Sequence, residues 1–310
     1  MAMASKWKQK KTVIMKDYAA ITDKILNLNG LKGAGLKPLR GGYVNIVLLA
    51  IKGNIKRVIK ISIDDKLQNE VYWYAEAKKA NVSTPRLITY DLSEKIVPYK
   101  YMISKYIDGR PPSWDSRELQ YRAGIFTGKA LRRLHKRCVN GFGSLNQDNK
   151  WSNKTWIETL KYIRGFAIDD RAALKVLKPK QIELIDDLTI YNKGLEVKSS
   201  RLLHGDLYSQ NLLYENGQDR FFIIDPSYYV IAGDPMYDVS YSMVERGKGF
   251  NEGVMHGYDI DSLTEKEQYR LKLLGIFQTF KDMTWYVSNN DSKVEIKKLH
   301  KSLIERLSSV

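Results

Sequence analysis

The sequence predicts an α+β chain of two lobes, a β-rich one over residues 1–104 and a mostly helical one over residues 105–310. Three observations predict it. Short apolar or alternating runs bounded by Gly, Asn and Pro crowd the first part, the pattern of strands and turns. Apolar residues at helical spacing dominate the second part. A length of 310 residues suits about two lobes of ordinary size.

The elements follow in order. Ile14, Tyr18, Ile21, Ile25 and Leu28 share one face of a helix, which Gly30, Gly33 and Gly35 end. Residues 38–63 hold two or three strands. A Gly41-Gly42 pair leads to the apolar run IVLLAI, then a KGN turn, then the alternating RVIKISI. Residues 66–80 are good helix formers. Pro85 follows, then the strand RLITYD and another strand over residues 99–107. Leu119, Ala123, Phe126, Ala130 and Leu134 define a helix over about 117–137. Two more helices are predicted over 155–166 and 172–192. A strand pair, LLY and RFFIID, flanks Asn216-Gly217, a strong hairpin-turn signal. Residues 262–288 and 293–308 are helical again.

Composition narrows the function classes. Apolar residues make up 43% and charged residues 28%, which excludes collagen-like, low-complexity and wholly disordered chains. A single cysteine, Cys138, excludes an internal disulfide and a cysteine-rich metal site. No apolar run approaches the length that crosses a bilayer, and the Lys-rich start lacks a signal peptide's apolar stretch. A soluble cytoplasmic protein without a membrane partner is expected. The net charge of +16 points to an anionic partner. Its distribution is uneven: residues 1–145 carry 28 basic and 11 acidic residues, whereas residues 201–243 carry 2 basic and 6 acidic. An acidic stretch inside a basic protein suits a bound cation.

That acidic stretch carries the chemistry. In LHGDLYSQNLLYENGQDRFFIIDP, Asp206 and Asn211 are separated by four residues, and Asp225 ends the hairpin that starts after Asn211. Two carboxylates and an amide oxygen thus meet at one end of a hairpin. Hard oxygen ligands of this kind suit Mg²⁺, which shares its shell with phosphate and water. Protein kinases use the same layout of an Asp base, an Asn beyond it and a second Asp after a hairpin.

With HGDLYSQN followed by IDP and GDPMYD, the chain resembles the aminoglycoside phosphotransferase superfamily of small-molecule kinases, which has a protein-kinase-like fold. The Tyr-Ser pair after HGDL and the IDPSYY stretch look most like the fructosamine kinases in it. The resemblance implies ATP and Mg²⁺ as cofactors and a small-molecule acceptor. It implies Asp206 as the base, Asn211 and Asp225 as metal ligands, and Lys60 in VIKIS as the phosphate clamp. Glu70, on the next helix, would orient Lys60. Glu76 is its rival, deeper in the same helix. Gly41 and Gly42 would bring backbone N–H groups to phosphate. The backbone around Ser104–Tyr106 would meet the adenine at a hinge. The acceptor would be an amino sugar, an aminoglycoside or a ketosamine, beside acidic residues such as Asp169, Asp170, Asp186, Asp187, Asp259 and Asp261.

Several features depart from protein kinases. The phosphate loop is RGGYVN, Tyr208 stands where they carry Lys, and Asp225 precedes Pro226-Ser227. These favour a small-molecule kinase. Plain structural roles stay open too. Asp206 could cap a turn, Asn211 could start a strand, and Glu70 could be a solvated helix residue. His204 is expected to hold the loop. Asp238 is expected to cap the following helix and brace the loop, and Asp234 to cap a turn. From another class comes a catalytically silent kinase-like module that binds a partner or nucleic acid through its basic half. A nucleic-acid site would interleave aromatic and basic residues on one face, and Trp7 among the lysines is the single such hint, so nucleic acid is an unlikely partner.

Overall fold

The structure, a computed structural model, describes residues 18–39, 45–63, 66–112, 116–244 and 247–310. The phosphate-loop pair Gly41 and Gly42 lies outside the described residues.

The first lobe is an antiparallel sheet. Its strands β1 (Gly35–Pro38), β2 (Ile46–Lys52), β3 (Ile55–Ile61), β4 (Leu87–Asp91) and β5 (Tyr101–Lys105) lie in the order β1-β2-β3-β5-β4. Gly53, at φ 55°, takes the left-handed first position of the tight β2–β3 turn. Helix α1 (Tyr18–Leu28) lays Ile21, Ile25 and Leu26 against Leu48, Ile59, Ile61 and Ile103 of the sheet. Together they form the smaller core.

Helix α2 (Leu67–Lys79) follows β3 in sequence but packs elsewhere. Leu67, Val71, Trp73, Tyr74 and Ala77 belong to the larger core, with the helices of the second lobe. Met102 of β5 joins that core, while its neighbours Tyr101 and Ile103 join the smaller one. Alternation along one strand thus feeds both cores.

The second lobe opens with α3 (Arg117–Leu134), capped by Ser116, whose side chain accepts from Leu119 N. Short strands β6 (Cys138–Val139), β7 (Phe142–Leu145) and β8 (Trp151–Asn153) lead to α4 (Trp156–Ala167), held by a Thr155–Glu158 capping box. The single helix expected over 172–192 is two, α5 (Asp170–Ala173) and α6 (Pro179–Thr189). Pro179 sits in the first turn of α6, where its missing N–H costs nothing; inside a continuous helix it would break a hydrogen bond.

Strand β9 (Ser200–Leu202) precedes the hairpin of β10 (Leu212–Glu215) and β11 (Arg220–Ile223). The hairpin is as expected but its turn is longer. Glu215 pairs with Arg220, and Asp219, at φ 50°, takes the left-handed position. After β12 (Ala232–Gly233) come α7 (Pro235–Val244), α8 (Lys248–Tyr258), α9 (Glu265–Ser288) and α10 (Lys293–Ser308). A second sheet runs in the order β6-β9-β12-β7-β8. Helices α3 and α8 cross backbone to backbone. A Cβ added at Gly253 would fall 2.2 Å from Tyr121 O, and one at Gly124 would fall 2.2 Å from Phe250 O. Among the described residues no helix is long and apolar enough to cross a membrane.

Candidate active site

Strand β3 and helix α2 build one side of the site. Lys60 lies between the fully buried Ile59 and Ile61. Its Nζ donates to both oxygens of Glu70 at 2.8 Å and to Asp225 Oδ1 at 2.5 Å. Both Lys60 and Glu70 side chains are only 9% exposed. Burial pushes the Lys60 pKa down, but Asp225 and then Glu70 outweigh it, so the ammonium is held well above its usual range. The rival Glu76 is engaged elsewhere, accepting from Arg137 Nη2 at 2.8 Å and Lys79 Nζ at 2.6 Å.

The loop after β9 builds the other side. His204 is fully buried and donates from Nε2 to Ile224 O at 3.0 Å, while its Nδ1 accepts from Asp206 N at 3.3 Å. Burial lowers its pKa, so the ring is neutral and holds the loop, as its sequence context suggested. Asp238 Oδ2 accepts from His204 N at 2.6 Å, and its Oδ1 from Gly205 N at 2.7 Å. Gly205 is at φ 77°, and a Cβ there would fall 2.0 Å from Val230 O, so only glycine fits. The capping expectation is corrected here. Asp238 sits inside the first turn of α7, whereas Asp234 caps it, accepting from Met236 N at 3.1 Å and from Arg270 Nε at 2.7 Å.

These contacts aim Asp206. Its Oδ1 accepts from Tyr241 Oη at 2.9 Å. The Asn211 amide donates to Asp206 O at 2.7 Å and reaches Asp206 Oδ2 at 3.4 Å. Burial pushes the Asp206 carboxyl up to about 7; the Lys281 ammonium and the Tyr241 hydrogen bond pull it down, and Asp225 and Asp282 push it up. A carboxyl poised near neutrality is what a general base at physiological pH needs.

Asp225 stands two residues past β11 with φ 58°, a left-handed conformation uncommon outside glycine that Asp adopts more readily than most. Its side chain is half exposed. The Asn211 amide nitrogen is taken by Asp206 O, which leaves the amide oxygen for a donor or cation. With Asp225 it offers the hard oxygens that Mg²⁺ takes in small number when phosphate and water complete the shell. Among the described residues no cluster of three or more His, Cys, Asp or Glu could hold a metal unaided.

Other expected residues lie apart. Ser104 is buried inside β5, paired with Val58 and Leu87, so its backbone is already in the sheet. Tyr106 follows the end of β5, its ring 5.4 Å from Lys56 Nζ. Asp170 and Asp186 bind Arg164, each at 2.7 Å, beside a cavity of about 450 Å³ also lined by Glu183, Asp187 and Tyr191. Asp169 caps α5, and Asp259 pairs with Arg132 at 3.0 Å.

Tyr241, Lys281 and Asp282 near Asp206 are absent from the sequence reading. For Lys281 a signal existed. It falls within the buried stretch Leu273–Thr284 of α9, where a lysine is out of place unless it has work there.

A family model described as phosphotransferase enzyme family, APH, matches residues 35–271. In fold the chain is similar to aminoglycoside phosphotransferase APH(4)-Ia, with TM-score 0.67, 17% identity, and 94% of this chain and 99% of that one covered. A thermostable mutant of that enzyme is known in a ternary complex with ADP and hygromycin B, at TM-score 0.66, 16% identity and coverage of 92% and 98%. A candidate fructosamine-3-kinase from Thermobifida fusca YX-ER1 gives TM-score 0.62 at 15% identity, covering 92% and 96%. Choline kinase LicA from Streptococcus pneumoniae gives TM-score 0.63 at 16% identity, covering 94% and 99%. At these identities the likeness is one of fold. A search of curated proteins finds no match.

Proposed function

Because the chain belongs to the phosphotransferase enzyme family, we propose that it transfers the γ-phosphoryl group of ATP to a hydroxyl of a small acceptor. One observation carries the reading. Lys60 joins Glu70 at 2.8 Å and Asp225 at 2.5 Å, and Asn211 reaches both Asp206 O, at 2.7 Å, and Asp225 O, at 3.4 Å. A clamp, a metal-ligand pair and a base thus form one connected group. ADP bound to a relative of the same fold supports ATP as the donor.

Residues 1–104 would handle the nucleotide, with Lys60, steadied by Glu70, on the phosphates. Gly41 and Gly42 would approach them by backbone, and the chain that leaves β5 at Tyr106 would meet the base, since Ser104 is held in the sheet. Mg²⁺, when held by Asn211 and Asp225, supplies charge neutralisation on the phosphates. Residues 105–310 would hold the acceptor. Asp206 would orient its hydroxyl and take the proton as the acceptor oxygen bonds to the γ-phosphorus and the bond from that phosphorus to the β,γ-bridging oxygen breaks, releasing ADP. Little covalent chemistry falls to the protein, so positioning and electrostatics carry the rate.

The acceptor class proposed is a hydroxylated amine such as an amino sugar, aminoglycoside or ketosamine. The hygromycin B complex of one fold relative and the names of the two others support it. The test is ATP turnover with Mg²⁺ against a panel of ketosamines, aminoglycosides, choline and homoserine. Stimulation by one member is expected. Mg²⁺-independent nucleotide binding with no stimulation by any member would favour the silent module.

A further inference from the structure

Lys281 lies on α9, far in sequence from the loop that carries Asp206, yet it is buried at 6% exposure. Its Nζ is 4.3 Å from the centroid of the Tyr241 ring and 5.6 Å from that of Tyr237. Tyr229 Oη lies 3.4 Å away, and Asp282 Oδ1 3.9 Å. Burying an ammonium is expensive unless close partners repay it, and a carboxylate at 3.9 Å is a long one. Asp282, the Tyr229 hydroxyl and the faces of two aromatic rings meet the cost together. One of those rings, Tyr241, donates its hydroxyl to Asp206 Oδ1 at 2.9 Å.

We propose that Lys281 is a positioning residue for Asp206, acting through Tyr241. The inference rests on the reading of Asp206 as the base. The ammonium pins the Tyr241 ring by a cation–π contact. A cation on the ring face also withdraws electron density and makes the phenol O–H a better donor. Tyr241 then occupies Oδ1, and the Asn211 amide lies 3.4 Å from Oδ2. The carboxylate is fixed in its plane, and Oδ2 is the oxygen left to take the acceptor's proton.

The test compares Lys281→Met, Lys281→Arg, Tyr241→Phe and Asp206→Asn in the full chain. Two readouts are used: steady-state MgATP turnover with water as acceptor, and NMR of chains labelled with ¹³C at tyrosine Cζ. Tyr241→Phe identifies the Tyr241 resonance. Lys281→Met and Tyr241→Phe are expected to lower kcat by about ten- to a hundredfold with KM for ATP unchanged, the scale of a misplaced reacting group. Lys281→Arg keeps the cation on the ring and recovers most of the rate. The Tyr241 resonance moves in Lys281→Met and in Asp206→Asn. Tyr241→Phe preserves packing, so it decides the matter if Lys281→Met fails to fold. An unmoved Tyr241 resonance in Lys281→Met overturns the proposal, and so does one in Asp206→Asn, which removes the acceptor of the Tyr241 hydroxyl. So does unchanged kcat in Tyr241→Phe, or a Lys281→Arg chain as slow as Lys281→Met. Full turnover in Asp206→Asn would refute the base reading, whereas the resonance shifts judge the Lys281–Tyr241–Asp206 contact on their own.

Discussion

The two ends of the site solve the problem of buried charge in opposite ways. At the clamp, Lys60 has two carboxylates within 2.8 Å, and Glu70 meets it with both oxygens. At the base, Asp206 has no ammonium in hydrogen-bond contact among the described residues; a tyrosine hydroxyl and an amide serve it, and Lys281 acts across a ring. The clamp is therefore stabilised by its ionisation, and the base is strained by it. A clamp only has to hold a charged phosphate. A base must be willing to take up a proton, and full pairing would make it too weak.

The largest expected effect is on rate. Asp206→Asn keeps shape and most hydrogen bonds but removes the proton acceptor, so turnover falls by roughly a hundred- to ten-thousand-fold. Nucleotide binding, measured by calorimetry, persists. Near-normal turnover would end the contrast by removing the base from it.

Next comes the stability of the clamp. Lys60→Ala takes from Glu70, 9% exposed, the ammonium that meets both of its oxygens. Breaking a buried pair this way costs about 3–5 kcal/mol, readable in urea unfolding. A loss near zero would mean that water or another cation reaches Glu70 readily.

Asp225 belongs to both ends and tests where they join. Its side chain is half exposed, so Asp225→Ala shifts stability by no more than about 1 kcal/mol. The Mg²⁺ dependence of ATP binding, followed by titration, is expected to vanish. Wild-type Mg²⁺ dependence in this variant would take the metal away from the hairpin.

The smallest effect is also the most discriminating. The folded chain holds Asp206 at about 7, against ~4 in an unfolded chain. Its contribution to stability is then fully present below pH ~4 and is lost as the pH rises through the folded value. Removing the carboxyl should help most in the alkaline range. The melting temperature of Asp206→Asn relative to the parent chain rises from pH 5 to pH 8, opposite in sign to the effect of Lys60→Ala. Over the same range kcat/KM of the parent chain climbs through about pH 7 as the base ionises. A flat difference in melting temperature would show that Asp206 is well solvated.

Much of the clamp and of the HGD loop was legible because their residues sit close in sequence or in fixed local patterns. Lys60 alternates with apolar neighbours in a strand, and Glu70 opens the next helix. Asp206, Asn211 and Asp225 are tied by one loop and one hairpin. Local geometry sets their order, so spacing suffices to find them. A helix was expected after Asp238, but that α7 already begins at Pro235 was not legible, since Met236–Ser242 is buried on every face and shows no amphipathic period. The strands of the second sheet, two to four residues each, are too short for alternation to register.

By itself the sequence determined the lobes' character, the hairpin and the motif residues, because each depends on neighbours within a few turns of chain. Only the tertiary structure decided that α2 packs with the larger core, that Glu76 is spent on Arg137, and that Tyr241 and Lys281 converge on Asp206. The physical reason is the same in each case. A buried charge is placed by what surrounds it in space. For Asp206 those groups come from helices α7 and α9, whose approach depends on the packing of the whole lobe.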